Sequence, residues 1–115
     1  MDTTKDASAP GTTFSFKDII DYQSQGIVSK QIIKKATGNV TLFAFDQGEN
    51  LSEHSAPFDA LVQVLEGQGE IVINGEPHSV SAGEAIIMPG NIPHAVNAKQ
   101  QFKMLLTMIR SEATD

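Results

Sequence analysis

The stretch GENLSEHSAPFDALVQVLEG, residues 48–67, which runs on through QGEIVINGE to residue 76, decides the fold. ALVQVLEG and GEIVING are short apolar segments divided by glycine, and Asn74-Gly75 is a strong two-residue hairpin signal. Working outward, the same rhythm recurs. IVSKQIIKK is followed by the turn residues TGN, and NVTLFAFD by QGEN. EPHSV leads to SAGE, AIIMP is broken by PGNIP, HAVNA follows, and FKMLLTMI closes the series. Short strands with turns every roughly eight to twelve residues predict an all-β sandwich or barrel. After residue 25 no segment sustains a helical period.

The ends of the chain read differently. Residues 1–13 are small, polar and Pro/Gly-containing, and are expected to be a disordered tail. In FSFKDIIDY, Ser15 is placed to cap a short N-terminal helical turn that buries Phe16, Ile19 and Ile20, with Gly26 as its stop. In the last strand, Phe102, Met104, Leu106 and Met108 share one face by period two, opposite Lys103, Leu105, Thr107 and Ile109. The second face is apolar at its far end, so cover is expected on both sides: the barrel interior on one, a second sheet or a partner subunit on the other. A bare outer face here and on IVSKQIIKK would leave apolar surface and a strand edge, which points to a homodimer.

Composition narrows the function. At 115 residues the chain is expected to form one domain, over 14–112. It has no cysteine, so disulfides, thiolate nucleophiles and Cys-held zinc are excluded. The net charge of −6 argues against a nucleic-acid partner, because phosphate contacts need clustered Lys and Arg, and Lys30, Lys34 and Lys35 make a small group. Apolar runs are too short to span a membrane. The N-terminus lacks the basic-then-apolar form of a signal peptide, so a cytoplasmic location is expected.

Two segments share a theme of glycine turn, strand and histidine, and they resemble the two motifs of the cupins, small double-stranded β-helix (jelly-roll) barrels. The first motif reads G-x5-H-x-H-x3-4-E-x6-G. Here Gly48, His54 and Gly67 fall in register, while Ala56 and Ala60 stand at the second histidine and the glutamate. The second motif reads G-x5-P-x-G-x2-H-x3-N. Gly83, Pro89 and His94 fit it, Asn91 replaces the glycine, and Ala98 stands at the asparagine position, with Asn97 just before it. The resemblance spans roughly residues 40–110.

It implies an inward-facing pocket whose metal ligands are three His and one Glu. Residue by residue, only His54 and His94 carry over. A catalytic zinc usually keeps three protein ligands, and non-haem iron two His and a carboxylate. A divalent metal (Zn, Fe, Ni or Mn) on His54 and His94 would need another donor. By alternation Ala60 and Val62 face inward, so Asp59 and Gln63 face away. Glu49, Glu53 and His78 are further candidates without a defined geometry, and His78 also reads as a plain polar hairpin residue.

Replacing His and Glu by Ala removes volume on the order of 100 Å³, which left empty would cost about 2 kcal/mol. The space is therefore refilled, by Phe58 and the methionines, or used as an apolar pocket lined by Ala56, Phe58, Ala60, Val62, Met88 and Met104. Met88, Met104 and Met108 suit either role. His54 and His94 then read as hydrogen-bonding groups at a pocket mouth, as holders of a weak metal, or as a metal-free acid/base. Three functions follow: a small-molecule-binding cupin; a metal-dependent cupin enzyme (isomerase, lyase or dioxygenase); or a structural, dimerising cupin with a vestigial pocket.

Overall fold

The structure is a computed structural model that describes residues 9–110. Most of the expected tail, residues 1–8, and the last two residues of the expected domain lie outside the described residues. Nine strands follow one short 3-10 turn at Phe16–Asp18: β1 Ile27–Lys35, β2 Gly38–Phe45, β3 Asn50–His54, β4 Phe58–Glu66, β5 Gln68–Ile73, β6 Glu76–Ser81, β7 Ala85–Met88, β8 His94–Asn97 and β9 Phe102–Arg110. They form two sheets, β1-β2-β9-β4-β7 and β3-β8-β5-β6. The strand pairs are antiparallel. The protein is an all-β jelly-roll barrel. No helix of the described residues is long and apolar enough to cross a membrane.

Period-two alternation turns each strand's apolar set toward the space between the sheets. That core holds Phe45, Val62, Val64, Ile71, Val80, Val96, Phe102 and Met104, with Ala60, Met88 and Ala98. Phe45 and Phe102 stack with ring centroids 4.7 Å apart and planes 4° from parallel. Gly69 makes room for that stack, because a Cβ there would run into the Phe102 ring. Asn74 and Gly75, at φ 52° and 82°, form the two-residue turn that joins β5 to β6, with Ile73 opposite Glu76.

β3 is the strand the sequence conceals. NLSEH has a single large apolar residue, Leu51, and four of its five residues are exposed, so no alternation marks it. What places it is pairing with β8, Leu51 opposite Val96 and His54 opposite His94.

Two expectations need correction at the N-terminus. The helical turn ends at Asp18, well before Gly26, and Ser15 makes no side-chain capping bond. Its backbone carbonyl instead accepts from Asp18 N at 3.0 Å. A 3-10 turn of this length offers a side-chain cap little to satisfy, and the segment is held by packing. Ile19 and Ile20 are buried on the outer face of the five-stranded sheet with Leu42, Ala44 and Leu105. Lys103 reaches through this layer to donate to the Lys17 carbonyl at 2.7 Å, and Lys30 donates to the Ile19 carbonyl at 2.8 Å. Tyr22 donates to Glu66 at 2.6 Å, and burial together with that carboxylate pushes its phenol well above the ordinary range. The outer face of β9 near Leu105 is thus covered by the chain's own N-terminal segment, where the sequence suggests a second sheet or a partner. Its far end is bare, with Ile109 at 64% exposure.

Candidate functional site

β3 and β8 bring His54 and His94 together as cross-strand partners, through an irregularity in β3 between Leu51 and His54. The ring centroids are 4.4 Å apart with planes at 67°. Each ring is tied to the backbone just before it. His54 Nδ1 lies 2.8 Å from the Ser52 carbonyl, and His94 Nδ1 lies 3.2 Å from the Ile92 carbonyl. A carbonyl oxygen only accepts, so each Nδ1 donates and each neutral ring keeps its lone pair on Nε2. Burial pushes the His94 pKa below its ordinary 6.5. The Ile92 bond opposes this shift, and the neighbouring His54 adds to it. His94 is therefore held neutral near pH 7.

Two loops close this rim, 55–57 from β3 to β4 and 89–93 from β7 to β8. Asn91 N donates to the Ala56 carbonyl at 2.8 Å, and Asn74 N to the Pro93 carbonyl at 2.8 Å. Gly90 N donates to Asp59 Oδ1 at 2.9 Å. Asn91 has φ 64°, a left-handed conformation that asparagine tolerates better than most residues. That accounts for Asn91 standing in for the motif glycine: the backbone requirement is kept and met by another residue.

In the other sheet, β9, β4 and β7 lie side by side. Ala60 lies between Met88 and Met108 in one cross-strand row. Two flexible methionines thus flank the small residue that stands where the motif has glutamate. Deeper in the barrel, Val62 and Met104 are sealed in the core, at 0% and 1% exposure. Phe58 at the start of β4 and Ala56 in the loop before it are both half-buried. Of the six residues named for a pocket, Ala60 and Met88 are buried in the core with Val62 and Met104, Phe58 is half-buried, and Ala56 belongs to the closing loop.

The remaining candidates for a third donor disperse. Asp59 and Gln63 are on the exposed face of β4. His78, opposite Ile71 on β6, shares a face with the buried Val80. Glu53 is exposed on β3, and Glu49 lines a separate hollow with Asn50, Asn97 and Lys99. Among the described residues no group of three or more His, Cys, Asp or Glu is placed to hold a metal.

One rim residue escapes the sequence reading. Arg110, the chain's single arginine, ends β9 opposite Phe58, and its guanidinium carbon lies 5.8 Å from the Phe58 ring centroid. It continues the even-numbered, inward face of Phe102, Met104, Leu106 and Met108. Extending that alternation by one step would have found it.

The chain belongs to the cupin domain family, whose sequence model matches residues 41–110. A conserved protein of unknown function from Streptococcus pyogenes is 31% identical over 91% of this chain and 92% of its own, with a TM-score of 0.86. A cupin 2 conserved barrel domain protein from Leptotrichia buccalis is 42% identical over 84% of this chain but only 47% of its own, with a TM-score of 0.82. A cupin superfamily protein from Desulfitobacterium hafniense, 21% identical over 90% of this chain and 94% of its own, shares the fold at a TM-score of 0.82. No curated protein matches the chain. The family implies a divalent metal on three His and a Glu. The donor set here does not make up that site, since two imidazoles fall one short of the usual minimum for a tightly held catalytic ion.

Proposed function

We propose that the protein binds a small molecule at the barrel rim, with His54 and His94 as its polar contacts and Phe58, Ala60 and Met88 as its apolar wall. The observation that carries this reading is the anchoring of both Nδ1 atoms to backbone carbonyls. It fixes two adjacent Nε2 acceptors, which suits a ligand with an apolar body and a hydroxyl or acid proton to donate. Arg110 adds the rim's cation, suited to a ligand acid group. The methionine row and the sealed Val62 and Met104 make this a shallow site, in keeping with the refilling of the space that the two alanines vacate. A few convergent polar groups on an apolar surface are the usual make-up of such sites.

Melting with phenol and with benzoate at millimolar concentration tests it. A ligand at ten times its Kd adds about 1.4 kcal/mol to the folded state. At least one probe is expected to raise Tm in the wild type and to lose that effect in His54→Ala and His94→Ala. Absence of any shift with either probe contradicts the reading.

A second reading is favoured by the same tautomers. Imidazoles that ligate through Nε2 commonly donate Nδ1–H to a carbonyl. We infer that His54 and His94 hold a divalent cation weakly, and the enzyme possibilities within the family depend on that ion. Calorimetric titration with Zn²⁺ or Ni²⁺ checks it: weak binding lost in His54→Ala supports it, and no heat with either metal removes it.

A further inference from the structure

Arg110, the chain's single arginine, ends β9 on the face that turns Met104, Leu106 and Met108 inward. Its backbone N–H donates to the Thr37 carbonyl at 2.8 Å, which fixes the strand end that carries it. Its partner on β4 is Phe58, and the guanidinium carbon lies over the Phe58 ring, 5.8 Å from the centroid. A cation within about 6 Å of a ring face is held there electrostatically. That contact takes up no hydrogen-bond acceptor, so the five N–H donors of the guanidinium stay available. Among the described residues no carboxylate is paired with it. Glu70 goes to Lys99 and Glu66 to Lys103. Asp59, next to Phe58 in the chain, accepts from Gly90 N at 2.9 Å.

This seat belongs to the histidine rim. Only residues 55–57 separate His54 from Phe58, so their Cα atoms lie within roughly 14 Å of each other. The Ala56 carbonyl in that loop accepts from Asn91 N, in the loop that leads to His94. The chemistry of the seat says what fits it. A guanidinium presents a planar fork that matches the two oxygens of a carboxylate. The half-buried Phe58 ring beside it offers a flat apolar surface. One cation in a chain of net charge −6 balances one negative charge. A dianion such as a phosphate monoester would bring a second charge into a negative field with nothing to balance it.

We propose that Arg110 is the specificity-determining residue of the rim, and that it selects a flat, apolar monocarboxylic acid. The carboxylate sits on the guanidinium fork and the body of the acid lies against Phe58. The proposal rests on the rim reading for the place of the ligand; it adds the class of molecule chosen and the group that chooses it. A neutral molecule of the same shape leaves the fork unpaired and is discriminated against on that ground.

A single arginine gives a single guanidinium Nε–Hε signal in ¹H–¹⁵N spectra of the full chain, so the seat can be watched directly. Titrations with benzoate, benzamide and phenyl phosphate test the proposal. Benzoate is expected to move the Arg110 signal and to bind roughly fivefold more tightly than benzamide, the scale of an exposed ion pair. Phenyl phosphate is expected to bind no more tightly than benzoate. Arg110→Gln should bring benzoate and benzamide to equal affinity, with melting close to wild type because the side chain is exposed. Arg110→Lys should keep part of the preference, since it keeps the charge and loses the fork. His54→Ala should weaken both probes alike and leave their ratio unchanged. Equal binding of benzoate and benzamide to the wild type overturns the proposal and leaves the rim reading standing. A preference that survives Arg110→Gln, or tighter binding of phenyl phosphate, also overturns it. Absence of binding by all three probes overturns the proposal and the rim reading together.

Discussion

The two ends of the barrel are built by the same strands and differ in what fills them. At the closed end, β2 and β9 contribute Phe45 and Phe102, whose parallel rings lie 4.7 Å apart, and Gly69 yields its side-chain space to them. At the open end, β4 contributes Ala60, β3 and β8 contribute His54 and His94, and two methionines take up the slack. One end is a rigid jigsaw and the other a wall of small and flexible groups around two oriented polar atoms. The difference teaches where stability and binding each reside. A substitution at the closed end should cost stability and leave recognition intact, and one at the rim should cost recognition with a smaller loss of stability.

The largest expected effect breaks the closed end. Phe102→Ala removes a fully buried ring and should cost about 3–5 kcal/mol in denaturant unfolding. A loss below about 1 kcal/mol would mean that the stack is not the centre of the core. Next comes the rim wall. Ala60→Leu inserts bulk between Met88 and Met108, and overpacking of this kind costs typically about 1–3 kcal/mol. Flexible methionines should hold the cost to the low end, while any melting shift produced by phenol or benzoate disappears. If Ala60→Leu keeps the ligand shift, the methionine row is separate from the binding wall.

The smallest effect is a pH dependence. The folded-state pKa of His94 is depressed, so below its unfolded value near 6.5 the unfolded chain binds the extra proton more readily. Its contribution to stability is complete above pH 6.5 and is lost as pH falls from there through the folded-state pKa. His94→Gln should flatten the stability profile over that window. An unchanged slope would indicate that burial does not disfavour the charged imidazole.

Much of the fold was legible in the sequence because glycines, turn residues and alternation all pointed the same way. The Asn74-Gly75 hairpin, the two faces of β9 and the frame Gly48, His54 and Gly67 needed no long-range information. β3 was not legible, since NLSEH lacks alternation and becomes a strand only by pairing with β8. The site was half legible. Motif spacing picked out His54 and His94, and parity placed Ala60 inward and Asp59 and Gln63 outward. Their mutual orientation depends on the Ser52 and Ile92 carbonyls, which spacing does not encode. Ser15 shows the opposite error: a residue type suited to capping stands before a turn held by buried Ile19 and Ile20 and by lysines on its carbonyls.

The central claim is that both rim histidines, paired across β3 and β8, keep a bare Nε2. Long-range ¹H–¹⁵N correlation spectra of ¹⁵N-labelled protein near pH 7.5 report the tautomer of each histidine directly. His54 and His94 are both expected to be protonated on Nδ1 and bare on Nε2, and both Nε2 resonances to move when a rim ligand is added. A proton found on Nε2 of either ring in the neutral state would contradict the claim.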